Sequence, residues 1–156
     1  MPPGALPEAS DIVKRFIEEY HEKLEEDFLF PRFEKKRTLI ELVATLRRQH
    51  QAGRALTEEI RRLASLSDLA EDDRRHLVTN LGAFVRMYRP HEAREDTVLF
   101  PALRDIVPRK EFEELGDEFE DKEHALFGPK GFEGVVERVA KLEESIGLYD
   151  LNQFTP

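Results

Sequence analysis

Few residues in this chain can do chemistry at neutral pH, and two of its five histidines recur in the same setting. The segment His21-Glu-Lys-Leu-Glu25-Glu26-Asp-Phe-Leu29-Phe30-Pro31 aligns without gaps on His91-Glu-Ala-Arg-Glu95-Asp96-Thr-Val-Leu99-Phe100-Pro101, with six of eleven positions identical. Each copy places a carboxylate four residues after a histidine, so on a helix both side chains share one face about a turn apart. Alone, such a pair carries little weight. Acids fill 33 of 156 positions, and an exposed pair of this spacing contributes only about 0.2–0.5 kcal/mol. The helical stripes that hold the pairs give them weight. One reads Leu77, Leu81, Phe84, Tyr88, His91, Glu95, Val98; the other reads Val13, Ile17, His21, Glu25, Phe28. Both continue an apolar seam, and a buried carboxylate there needs a partner to offset its desolvation. A metal ion is an efficient one.

His50 joins them from another stripe: Leu39, Val43, Leu46, His50, Gly53, Thr57, Ile60, Ala64. Three seam histidines with two repeated carboxylates outweigh the ordinary alternative of core imidazoles bonded to carbonyls. Imidazole and carboxylate donors without thiolate suit iron, manganese or zinc. Two carboxylates from facing helices, each able to bridge, suggest a two-metal centre inside a bundle. The Glu-x-x-His pairs of ferritin-like bundles are absent, and Asp121-Lys-Glu-His124 matches them only approximately. His76 reads as a surface residue. Tyr88, one turn before His91, is a seam residue also placed to bond a metal-bound oxygen species. Gly53, one turn after His50, leaves either a small void for dioxygen or room for close helix packing. Glu22 and Glu92 are expected to face away from the site.

Those side chains must be positioned by helices. Residues 32–89 hold no proline and only two glycines, Gly53 and Gly82, which suits long amphipathic helices. Residues 1–9 read as a flexible lead-in, with Ser10 and Asp11 capping a first helix that runs through Phe28. Thr38 with Glu41 and Asp68 with Glu71 have capping-box spacing and open the second and third helices. The second ends near Leu66; the third reaches Asp105 across a kink at Pro90. Pro108 opens a fourth helix that stops at Gly128, and a fifth spans about Phe132–Ile146. The apolar tail 147–156 is expected to dock on the body. The fold class is all-α: an up-down helical core over 10–106 with a C-terminal helical extension over 107–156 packed on it.

Composition removes other functions. With no cysteine there is no disulfide scaffold, thiolate metal site, iron–sulfur cluster or thiol catalysis. A formal charge of −9 disfavours phosphate backbones and anionic lipid, so no nucleic acid or membrane partner is expected. No apolar run is long enough to span a bilayer, and MPPGALPEAS does not read as a secretory leader. Cytoplasm is the default location, with export of a longer precursor left open.

The order His, His-x3-Glu, His, His-x3-Glu, with LFP after each His-x3-Glu pair, resembles the hemerythrin-like HHE cation-binding family. EDFLFP, RRQHQAGR and HEAREDTVLFP are similar to its second, third and fourth helix signatures, over about residues 10–106. FEDKEHALFG and IGLYDLNQFTP are similar to the C-terminal extension of a bacterial subgroup. The resemblance implies a hemerythrin-like bundle in which His21, Glu25, His50, His91 and Glu95 hold iron, the glutamates bridging and the histidines terminal. It also implies a small oxidant as ligand: dioxygen, peroxide or nitric oxide. A binding protein is favoured over an enzyme.

His50 precedes His91 by 41 residues, so a partner equally spaced before His21 would fall ahead of residue 1. The family's first helix is therefore expected to be absent, leaving three long helices of the usual four. Residues 109–127 could fill the vacant groove, with Phe112, Leu115 and Phe119 inward and His124 as a replacement ligand. A homodimer could cover it instead. Two irons are expected for a complete site, and one or none if the helix is not replaced. The alternative function is a truncated, metal-poor bundle acting as a self-associating interaction module.

Overall fold

The computed structural model describes residue 2 and residues 4–156, and the described residues form helices and connections with no strand. Helix α1 spans 5–36, α2 is Ile40–Ala64, α3 spans 71–106, α4 is Arg109–Phe127 and α5 is Gly131–Ile146. A short 3₁₀ turn, Leu151–Phe154, follows.

Two of these helices are not uniform. α1 contains π-helical segments at Val13–His21 and Glu25–Leu29, and α3 contains one at Glu95–Leu99. The segments Glu25–Leu29 and Glu95–Leu99 fall at the same place in the repeat, just ahead of Phe30-Pro31 and Phe100-Pro101. Proline has no N–H and crowds the carbonyl four residues back, and the wider π turn makes room for it. Such turns also shift which side chains face inward.

α1 begins earlier than its sequence suggests. The lead-in is helical from Ala5, and Ser10 lies buried inside the helix, donating to the Pro7 carbonyl at 2.9 Å rather than capping. The end expected at Phe28 lies at Lys36, where Arg37 turns left-handed at φ 53°. Neither capping box forms. Thr38 Oγ1 bonds the Lys36 carbonyl and α2 starts after Leu39, while α3 starts after Ala70 without a side-chain cap. The acidic first turn of α3, Glu71-Asp72-Asp73, complements the helix dipole instead. α3 continues through Pro90 as expected, and α4 stops at Gly128, whose φ is 80°. The tail does not dock: Leu148, Tyr149, Leu151 and Phe154 are exposed.

Short connections make α1, α2 and α3 antiparallel neighbours. α4 then runs back along α1, from Arg32–Glu111 at 2.9 Å to Phe16–Phe127 with ring centroids 5.2 Å apart. Phe119 lies midway, its ring 5.4 Å from Phe28 and its carbonyl accepting from Tyr20 Oη at 3.1 Å. Leu115 is buried, with Phe112 and Phe119 packed against the same core. A fourth helix is thus present, following α3 in the chain. α5 holds the start of α1 through Arg138, bonded to Glu8 and Asp11 at 2.8 Å each.

The apolar core comes in two clusters. Leu29, Phe30, Phe33, Val43, Leu46, Leu99, Leu103, Val107 and Leu115 form one, and Ile60, Leu63 and Leu77 the other. Between them, along α1, α2 and α3, lies a buried polar layer: Glu18, Glu22, Glu25, His50, Thr57, His91 and Glu95. At Gly53 in this layer an added Cβ would lie 2.1 Å from Tyr88 Oη, so α2 and α3 pack closely there and leave no void.

Gly53 and Gly116 should therefore respond oppositely to alanine, which in a helix interior is worth about 1 kcal/mol over glycine. A Cβ at Gly116 meets nothing within 4 Å, so Gly116→Ala should raise the urea midpoint. Gly53→Ala must displace Tyr88 and should lower it by about 1–3 kcal/mol of stability. Equal responses would contradict the close packing.

Candidate metal centre

The repeat brings its histidines and glutamates into one place. From α3, His91 Nε2 lies 2.7 Å from Glu95 Oε1. From α1, His21 Nε2 lies 3.3 Å from Glu25 Oε1. His50 enters from α2, its Nε2 3.4 Å from Glu25 Oε2 and 3.8 Å from Glu95 Oε1. Two sets of potential donor atoms result, each within 4.8 Å: His50, His91 and Glu95, and His21, Glu25 and Glu95. Glu95 belongs to both, as a bridging carboxylate would. His50 is fully buried, whereas the His21 side chain is 42% exposed.

The other ring nitrogens fix the orientation. His50 Nδ1 pairs with Glu26 Oε1 at 3.0 Å and His91 Nδ1 with Gln49 Oε1 at 3.0 Å. With each Nδ1 engaged outward in this way, each Nε2 faces the cluster, the arrangement by which outer groups orient a metal-binding imidazole.

Behind Glu26 lies a further chain. Arg54 Nη2 reaches Glu26 at 2.9 Å and Glu22 at 2.8 Å, and Tyr88 Oη donates to Glu22 Oε1 at 2.7 Å. Glu22 is therefore buried, not turned away as expected. Tyr88 is committed to Glu22 rather than to an oxygen species on the cluster. Beyond them Lys14 links buried Glu18, at 3.3 Å, to exposed Glu58, at 3.0 Å. Glu22, Glu26 and His50 make a third group of donor atoms within 4.8 Å, but the Arg54 guanidinium already serves its carboxylates.

His76 and His124 are exposed and outside all three groups. His124 sits in the last turn of α4, where its carbonyl accepts the Gly128 N–H at 2.9 Å. Expected to face away, Glu92 is exposed. Glu26, Gln49 and Arg54 were not anticipated as supports. The one sequence signal for Glu26 is the acid retained in both copies of the repeat, Glu26 and Asp96.

The hemerythrin HHE cation-binding domain model matches residues 2–103 and again 41–154. The chain belongs to this family. Both matches include His50, His91 and Glu95; the first alone includes His21 and Glu25, and the second alone reaches His124. This HHE-domain chain is also 48% identical, over 158 residues, to uncharacterized proteins of Mycobacterium bovis and of two strains of Mycobacterium tuberculosis. The matches cover 99% of the chain but 61% of each relative, so it spans about three fifths of their length. No solved structure matches it. No helix among the described residues is long and apolar enough to cross a membrane.

The charges of the metal-free cluster set its pH response. Burial opposes the imidazolium of His50, but the Glu25 and Glu95 carboxylates outweigh it and raise its pKa from 6.5 to about 10. Burial likewise opposes the Glu95 carboxylate, but His50 and His91 lower its pKa from 4.5 to about 2. His50 thus stabilises the fold fully below pH 6.5 and loses that contribution as pH rises toward 10. Glu95 contributes above pH 4.5 and loses it as pH falls toward 2. Metal-stripped protein should show its highest urea midpoint between these limits. A midpoint unchanged from pH 6.5 to 9 would contradict the pairing.

Proposed function

We propose that this HHE domain holds iron at His21, Glu25, His50, His91 and Glu95 and there binds or reacts with a small oxidant: dioxygen, peroxide or nitric oxide. One observation carries the reading. Both oxygens of Glu25, Oε1 of Glu95 and Nε2 of His50 are buried and converge on one another, and their polar neighbours there are the other imidazoles and carboxylates of the cluster. Burying several such charges together is costly, by several kcal/mol per ion. A divalent cation would pair them together, and nitrogen and carboxylate donors suit iron.

Iron held there would supply electrons and a coordination position for the oxidant. The protein's own contribution is placement and exclusion. Glu95, shared by both donor sets, would fix the separation of two ions. Glu26 and Gln49 hold the His50 and His91 rings. Leu46 and Phe30, both buried in the adjoining cluster, keep water from that side. The part-exposed His21 leaves the opposite side as the place of entry.

Metal analysis of protein purified without chelator tests this. About two irons per chain are expected for a complete set of donors, with a charge-transfer band in the near-ultraviolet or visible. Glu25→Ala and Glu95→Ala should each remove the paired-iron spectrum and preserve helicity, while Glu92→Ala should change neither. Less than half a metal ion per chain after anaerobic ferrous loading would sink the proposal and favour a metal-poor interaction module.

A further inference from the structure

A cavity of about 560 Å³ opens beside the cluster, bounded by α1, α3 and α4. That volume falls within the roughly 300–1,000 Å³ of small-molecule pockets. Its wall is largely apolar, built from Leu24, Leu29, Phe100, Leu103, Phe112 and Phe119. His21 and Glu25, two of the residues assigned above to iron, also line it.

Gly116 bears on what the cavity is for. It lines this wall from the interior of α4, where glycine costs about 1 kcal/mol relative to alanine. Close packing does not explain it, because a Cβ there would meet nothing within 4 Å. Gly53 shows the contrary case, a glycine required by a neighbouring ring. Gly116 adds no side chain to this wall.

Shape and charge narrow the occupant. Asp96 and Arg104 both line the cavity from α3, eight residues apart, which sets them about 12 Å from each other along the helix axis. The wall therefore runs about two turns along α3. Three carboxylates, Glu25, Asp96 and Asp105, share its wall with one guanidinium, Arg104, which rests 5.6 Å over the Phe112 ring. With the chain at −9 overall, the cavity does not attract an anionic head group.

We propose that this cavity binds an uncharged alkyl molecule, its chain against the leucine and phenylalanine wall and a terminal oxygen group at His21 and Glu25. Alkyl alcohols and alkyl hydroperoxides share that chemistry. The proposal deepens the function above by naming a ligand class, and it rests on that reading only for the meaning of the His21 end.

The test uses the full chain without metal and N-phenyl-1-naphthylamine, a neutral fluorophore that brightens in apolar sites. Saturable binding at one site per chain is expected. 1-Decanol should displace the probe at concentrations about tenfold below those of decanoate, a difference of about 1.4 kcal/mol. Gly116→Leu should weaken probe binding at least about tenfold while iron content after loading stays unchanged. On the unaltered chain, amide shifts caused by 1-decanol should centre on His21 and Gly116. The proposal is overturned by absent or unsaturable binding, by decanoate competing as well as decanol, or by shifts centred elsewhere. It is equally overturned if Gly116→Leu binds the probe normally, or if rising protein concentration expels the probe as a dimer forms, which would assign the groove to a second copy. Iron loss with probe binding intact would strike the metal assignment alone.

Discussion

Burial of carboxylates between two apolar clusters is the constraint on which the rest of this structure depends. Glu18, Glu22, Glu25 and Glu95 lie within the bundle, each almost completely shielded from water. Taking one such charge out of water costs several kcal/mol even after the protein relaxes around it. That cost is tolerable only where cations converge, and they do so unevenly. Lys14 attends Glu18, Arg54 joins Glu22 to Glu26, and the histidines attend Glu25 and Glu95. The clusters around Phe30 and Leu63 seal the layer at each end. They supply the apolar burial that offsets the polar layer between them.

The fold was legible because its signals are periodic. Seams at helical spacing and the breaks at Pro108 and Gly128 give the order of helices and their approximate limits. Helix starts were less legible. Thr38/Glu41 and Asp68/Glu71 have the right spacing for capping boxes, yet α2 enters through left-handed Leu39 and α3 through extended Ala70. The capping pattern is a local preference, and the close approach of successive helices overrides it here.

The cluster of histidines and glutamates was legible as a repeat, and the groups that surround it were not. His21, Glu25, His50, His91 and Glu95 share spacing that survives translation onto helices. Glu22 was expected to face away because it lies off the His21–Glu25 stripe, yet it stands four residues after Glu18 and three before Glu25, spacings that share a face on an ordinary helix. Glu18, Glu22 and Glu25 face inward together, in a stretch of α1 that is π-helical on either side of Glu22. Gln49 and Arg54 are hidden: nothing in a polar side chain beside His50 says that it will bond across to α3 or α1.

The order of helices gives the two sides of the centre different characters. On the α2 side, Glu26, Gln49 and Arg54 fix the rings, and Gly53 lets Tyr88 close the gap. Among the described residues, the side facing α4 has no equivalent set of polar supports. α4 follows α3 and packs on α1 through Phe119 and Phe127, while its one histidine, His124, stands outside the donor groups. Its inner face at the level of the cavity carries Leu115, Gly116 and Phe119 instead. A fourth helix that packs without contributing a donor leaves His21 partly uncovered, next to a lined space. The braced side is therefore suited to hold donor geometry, and the lined space beside His21 lies on the side without that bracing.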